Sequence, residues 1–150
     1  MRRNAHCRRI LFLCTGNSCR SQMAEAWTRA LRGSEFEPYS AGTKPGTVDP
    51  RAILVMTEAG VDMSGHRSKG VEELVSLDFD YVVTVCDAAG EACPFFPGPT
   101  RHIHAGFDDP PRLASGAASE DEALSHYRRV RDEIRAFVES MPGSVETPPR

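Results

Sequence analysis

The first compact apolar run covers residues 10–13, Ile-Leu-Phe-Leu, straight after a pair of arginines. So short and unbroken a run predicts a buried strand over 9–13. The period then changes. Met23, Trp27, Ala30 and Leu31 recur at helical spacing, which predicts a helix over 21–31 stopped by Gly33. Trp27 is read as a core residue of that helix. Residues 36–41, closed by Gly42, fit a second strand. Asp49-Pro50 sets an N-cap before a proline at the first helical position, so a helix is expected to about residue 59, ending at Gly60. Ser68 is read as the cap of a short helix through 76. Residues 79–85, FDYVVTV, give the strongest strand signal, and 101–105 fit a fourth strand. Between them, CDAAGEACPFFPGP reads as a loop or a short helix broken by Pro and Gly.

Residues 114–119, ASGAAS, read as a flexible connector. Ser119 and Glu122 have capping-box spacing, and the last helix presents Ala123, Tyr127, Val130, Ile134, Phe137 and Val138 on one face. Residues 141–150, MPGSVETPPR, hold too little apolar content to pack and are expected to form a disordered tail. The expected organisation is a basic leader at 1–8, one domain over 9–140, and that tail. Strands alternating with helices predict an α/β fold, a four-stranded parallel sheet flanked by helices. Ligands of such sheets bind beyond the C-terminal ends of the strands, near a switch point. Cys14 and Cys86 both fall on that edge.

Composition narrows the partners. The chain has 150 residues, 40% hydrophobic and 26% charged, with a net charge of −3. One domain is the expectation, with no basic excess for nucleic acid or an anionic membrane. No apolar stretch is long enough to cross a bilayer, so no membrane partner is expected and a cytoplasmic, monomeric protein is. In that compartment the five cysteines, Cys7, Cys14, Cys19, Cys86 and Cys93, are reactive or metal-binding rather than structural bridges. Zinc fits poorly, because no Cys/His pair has finger-like spacing. His102 and His104 alternate along a strand and are read as structural or exposed. Cys7 is read as an incidental thiol of the leader.

The segment CTGNSCRS, residues 14–21, carries the chemistry. Taken alone, a cysteine six positions before an arginine is as compatible with a buried thiol and a surface charge. The flanking strand and helix change that. Gly16 allows a sharp turn, and Asn17 tolerates a left-handed backbone. The N–H groups of Thr15, Gly16, Asn17, Ser18, Cys19, Arg20 and Ser21 then line a nest at the positive end of a helix. Arg20 adds a planar fork that grips a tetrahedral oxyanion. The same field favours the nucleophilic thiolate of Cys14, to which Ser21 or Thr15 can donate.

CTGNSCRSQMAEAW resembles the thioredoxin-coupled arsenate reductases, which share the low-molecular-weight tyrosine phosphatase fold. VVTVCDAAGEACP and HAGFDDP resemble that family's later motifs, in the same order, and the likeness spans about residues 9–137. It implies that Cys14 attacks arsenate, Cys86 then attacks Cys14 with release of arsenite, and Cys93 attacks Cys86. Thioredoxin reduces the resulting pair, so no bound cofactor or metal is implied. Arg20 would hold the oxyanion, with phosphate or sulfate as competitors. Asp109 would protonate the departing oxygen, while the adjacent Asp108 diverges. No role falls to Cys19. A low-molecular-weight protein tyrosine phosphatase is the alternative, although Pro111 stands where such enzymes usually carry an aromatic residue. A non-catalytic oxyanion or redox sensor, and a small-thiol or glutaredoxin-like reductant that bypasses Cys93, are the other readings. Some relatives bind potassium through residues matching Asn17, Glu25, Ser40 and an aspartate. Here Lys69 aligns with the aspartate, and its ammonium is expected to replace the ion.

Overall fold

The computed structural model describes residues 7–86 and 100–146. Strands β1 (Arg8–Cys14), β2 (Phe36–Gly42), β3 (Tyr81–Thr84) and β4 (Arg101–His104) form one parallel sheet in the order β2-β1-β3-β4. Helices α1 (Arg20–Arg32), α2 (Pro50–Glu58), α3 (Pro110–Ala114), α4 (Glu120–Glu139) and α5 (Gly143–Glu146) accompany it. None of the described helices is long and apolar enough to cross a membrane.

The continuous apolar run in β1 reflects burial on both faces. Ile10, Phe12 and Cys14 pack toward Met23, Trp27, Val55 and Tyr127 of α1, α2 and α4. Leu11 and Leu13 turn the other way, against Leu74, Phe79 and Val82. After β2 the chain returns to the opposite side of β1, which creates the switch point between β1 and β3. Cys14 is the last residue of β1. Val85 still donates to Leu13 O at 2.9 Å, so Cys86 follows on the same edge.

Asp49 caps α2 as expected, accepting from Arg51 N at 2.9 Å, and Pro50 opens the helix. Ser119 caps α4 through Glu122 N at 3.1 Å. Trp27 is 2% exposed, with the Arg135 guanidinium 4.9 Å from its ring. Phe137 is only partly buried and meets Phe107 edge-on, at 6.1 Å between centroids, at the margin of the buried α4 face.

Four expectations are corrected. The leader ends one residue early, because Arg8 already pairs with Phe36 in the sheet. Ser68 caps no helix; only a 3-10 turn at Val71–Glu73 forms, and the serine hydroxyl is committed elsewhere, to Gly16 O at 2.8 Å. The connector loses residue 114 to α3, which starts at Asp109-Pro110, the same Asp-Pro signal that opens α2.

The fourth correction is the tail. Residues 141–146 are packed, with Met141 4% and Val145 0% exposed. Low apolar content misleads here because two residues four apart fill one gap in the core. Glu146 fixes the end: its Oε2 accepts from Arg8 Nη1 at 2.8 Å and from the Tyr81 hydroxyl at 2.7 Å. These residues close the sheet at the end opposite Cys14. Positions 147–150 lie outside the described residues, as do 87–99, including Cys93. Val145→Ala is expected to cost about 2 kcal/mol, read as a lower urea midpoint at unchanged slope. An unchanged midpoint would mean that the C-terminal turn contributes nothing to the core.

Candidate active site

The loop between β1 and α1 turns its backbone inside out. Thr15 O accepts from Lys44 N at 2.9 Å, Gly16 O from Gly46 N at 3.1 Å, and Ser18 O from Asp49 N at 2.8 Å. Ser68 Oγ gives Gly16 O a second donor. In a trans peptide the next N–H points opposite to the carbonyl. Outward carbonyls at 15, 16 and 18 therefore turn the N–H groups of Gly16, Asn17 and Cys19 inward. Asn17 has φ of 49°, the left-handed region that asparagine tolerates. α1 begins immediately after, with no acidic residue in its first turn to offset its positive end.

Gly42 makes this loop possible. It lies opposite Cys14 in the β1–β2 register, and a Cβ there would stand 2.5 Å from Thr15 O and 2.9 Å from Asn17 N. Any side chain would push the loop off its support.

Cys14 is 4% exposed, and its Sγ lies 2.9 Å from Ser21 Oγ. Arg20 is 5% exposed. Its Nη1 donates to Phe107 O at 3.0 Å, which ties the guanidinium to the segment carrying the acidic pair. Asp109 Oδ1 lies 3.7 Å from Arg20 Nη2. Asp108 faces away and accepts from Arg129 Nη2 of α4 at 2.9 Å. Consecutive side chains thus go to separate partners, and only Asp109 reaches the loop.

Cys19 lies in the loop sequence but its side chain packs in the core. Burial pushes its thiol well above the ordinary value, with the negative charge of Asp49 adding to that. It therefore stays protonated, and its contribution to the loop is its backbone. Cys86 is fully buried, in the same core cluster as Cys14. His102 is exposed; His104 is also exposed and meets Thr84 Oγ1 through Nδ1 at 2.8 Å.

Behind the loop lies a charged group that sequence reasoning only partly located. Glu25 Oε1 accepts from Ser40 Oγ at 2.6 Å and Oε2 from Arg29 Nη2 at 2.7 Å, with Lys69 Nζ 3.7 Å from Oε1. Burial alone would push this carboxyl up. The two hydrogen bonds and the Lys69 charge together hold it below the usual carboxylate range. Lys69 N also donates to Asn17 Oδ1 at 2.9 Å. Gly42, Lys44, Ser68, Gln22 and His66 all support the loop and were missed. Apart from the contacts of Gln22 with Asn17, five positions away, these roles are long-range contacts that leave no local pattern.

An inverted loop with a cysteine at its base, an arginine at its end and an aspartate opposite is an arrangement with the chemistry to bind a tetrahedral oxyanion and attack it. Residues 9–146 match the low molecular weight phosphotyrosine protein phosphatase family, and the chain belongs to that family. It is 45% identical over 125 residues to the arsenate reductase of Bacillus subtilis, spanning 83% of this chain and 88% of that one. Its fold is similar to an arsenate reductase in the phosphate binding state, at a TM-score of 0.74 and 29% identity, covering 93% and 99% of the two chains. It also resembles a thioredoxin-dependent arsenate reductase of Corynebacterium glutamicum, at a TM-score of 0.64 and 27% identity, covering 93% and 64%.

Gly42→Ala is expected to weaken phosphate binding by at least about tenfold, the loss of roughly one hydrogen bond, measured by titration calorimetry. Gly46→Ala, where an added Cβ meets nothing within 4 Å, serves as the control. Equal affinities in both variants would contradict the supporting role of Gly42.

Proposed function

We propose that this chain reduces arsenate to arsenite by a three-cysteine relay that thioredoxin regenerates. The observation that carries the reading is the placement of two cysteines, Cys14 at the end of β1 and Cys86 just beyond the adjacent β3, with the first at the base of the inverted loop. Its similarity to arsenate reductases supports the substrate. The thioredoxin dependence of one similar structure supports the reductant.

In this reading Cys14 thiolate attacks arsenic, and Asp109 protonates the oxygen that leaves as water. Arg20 and the inward N–H groups hold the remaining oxygens. Cys86 thiolate then attacks Cys14 Sγ. The S–S bond forms as the As–S bond breaks, its electron pair passes to arsenic, and arsenite departs. Cys93 attacks Cys86, which gives a Cys86–Cys93 disulfide and returns Cys14 as thiolate. A thioredoxin dithiol reduces that pair. Cys86 is fully buried in the resting chain, so its attack requires a local opening. Cys93 enters on the sequence motif alone, because it lies outside the described residues. A low-molecular-weight tyrosine phosphatase is the second reading. The family match and the inverted loop favour weak phosphatase activity, and Pro111 at the start of α3 offers no aromatic ring to stack on an aryl group.

The proposal also dispenses with potassium. Asn17 Oδ1 already accepts from Lys69 N and Gln22 Nε2, the Ser40 hydroxyl is given to Glu25, and a fixed ammonium stands beside that carboxylate. These contacts support the reading that Lys69 stands in for the cation.

The coupled assay with thioredoxin, thioredoxin reductase and NADPH should give sustained arsenite from the wild type. Cys93→Ser should stop after one turnover with a Cys14–Cys86 disulfide trapped, which peptide mapping detects. Sustained turnover in Cys93→Ser would remove that cysteine from the relay, and aryl phosphate hydrolysis without arsenite would favour the phosphatase. Asp109→Asn should lower kcat about a hundredfold, while Asp108→Asn, breaking only a surface ion pair, should change it less than about twofold. Potassium should match sodium at equal ionic strength in both turnover and Tm. A potassium-specific rise in either would reinstate the cation site.

A further inference from the structure

The donors of Arg20 all lie in one plane, so what a bound oxyanion meets depends on how that plane is turned. One corner of it is anchored. Nη1 donates to Phe107 O at 3.0 Å, and the residue is 5% exposed. A guanidinium held at a tip keeps its plane, whereas one held only by its stem rotates about the Cδ–Nε bond. The Phe107 carbonyl is also neutral. It fixes the fork without cancelling the positive charge that an anion needs.

A carbonyl is only as fixed as the chain around it. Ala105 N donates to Thr84 O at 2.8 Å and Phe107 N to Val85 O at 3.3 Å, so the chain leaving β4 stays beside β3 and its extension. The second bond is long for an N–H donor. Asp108 accepts from Arg129 Nη2 at 2.9 Å, but the two side chains are 53% and 44% exposed, and an ion pair in water contributes little. The Phe107 ring is held differently. It meets Phe137 of α4 at 6.1 Å between centroids and 83° between planes, an edge-to-face pair packed against the main core. Of these contacts, the ring pair is the one that gains from burial as well as from geometry.

We infer that Phe107 is a positioning residue for oxyanion binding: its ring, seated on Phe137, sets the carbonyl that orients the Arg20 fork. Through this pair α4, which has no residue in the loop, acts on anion affinity. The ring itself needs no contact with the anion. Truncating it leaves the Arg20 charge in place and removes only its fixed direction, so binding weakens without being lost.

This role rests on Arg20 as the oxyanion-binding residue of the proposed reaction but not on arsenate, so inorganic phosphate is the probe. Its dissociation constant is measured by titration calorimetry on the full chain, at a temperature where circular dichroism shows each variant folded. Phe107→Ala should weaken phosphate binding about fivefold, the loss of part of one charge-assisted hydrogen bond. In an Arg20→Lys background, which keeps the charge but has no fork to orient, the same substitution should change the constant less than about twofold. No change in the first background overturns the inference, and equal losses in both overturn it by reducing it to packing. The wild type gives a second test that needs no variant to fold. With arginine-selective nitrogen labelling, the Arg20 Nη protons should be resolved separately before phosphate is added, the mark of hindered rotation. A single averaged signal also overturns the inference. If phosphate binding follows this pattern and no arsenite forms, the proposed reaction fails and the role of Phe107 stands.

Discussion

A loop that turns its N–H groups toward a ligand must turn its carbonyls away, and buried carbonyls need donors. Each one left unpaired would cost about 1–3 kcal/mol. Much of this molecule answers that requirement. The segment after β2 supplies backbone donors from Lys44, Gly46 and Asp49, and Ser68 supplies a hydroxyl. Gly42 lacks the side chain that would hold these two layers apart. The sheet order puts them in reach, because β2 lies beside β1 and delivers its C-terminal end directly behind the loop.

Asp49 links this support to the helical layer. Its carboxylate caps α2 and accepts from the Tyr127 hydroxyl of α4, while its N–H holds Ser18 O. The Tyr127 hydroxyl, pushed well above its ordinary pKa by burial and the Asp49 charge, keeps its proton for that bond. α4 also takes Asp108 through Arg129, so the two adjacent acidic side chains part, and Asp109 lies 3.7 Å from Arg20. A helix with no residue in the loop thus fixes the loop's rear wall.

Electrostatics sort the cysteines by place rather than by type. Cys19 and Cys14 are five positions apart in one loop, yet Cys19 is buried among apolar groups near a carboxylate, whereas Cys14 has the Ser21 hydroxyl at its sulfur. Behind the loop, the buried Glu25 carboxylate is balanced by Arg29 and Lys69 within the chain itself.

The sequence by itself determined the elements and the chemistry of the loop. Strand and helix periods are local, and a cysteine, a glycine, an asparagine and an arginine in seven residues carry their own geometric logic. The Asp49-Pro50 and Ser119–Glu122 caps were legible for the same reason. Tertiary structure alone decided what holds the loop. Ser68 read as a helix cap and became a loop donor; residues 141–146 read as a tail and became core; and the contact between His66 and Gln22 joins positions 44 apart. Each of these depends on contacts between distant segments, where a side chain is used according to what the fold brings beside it and not according to its neighbours in the chain.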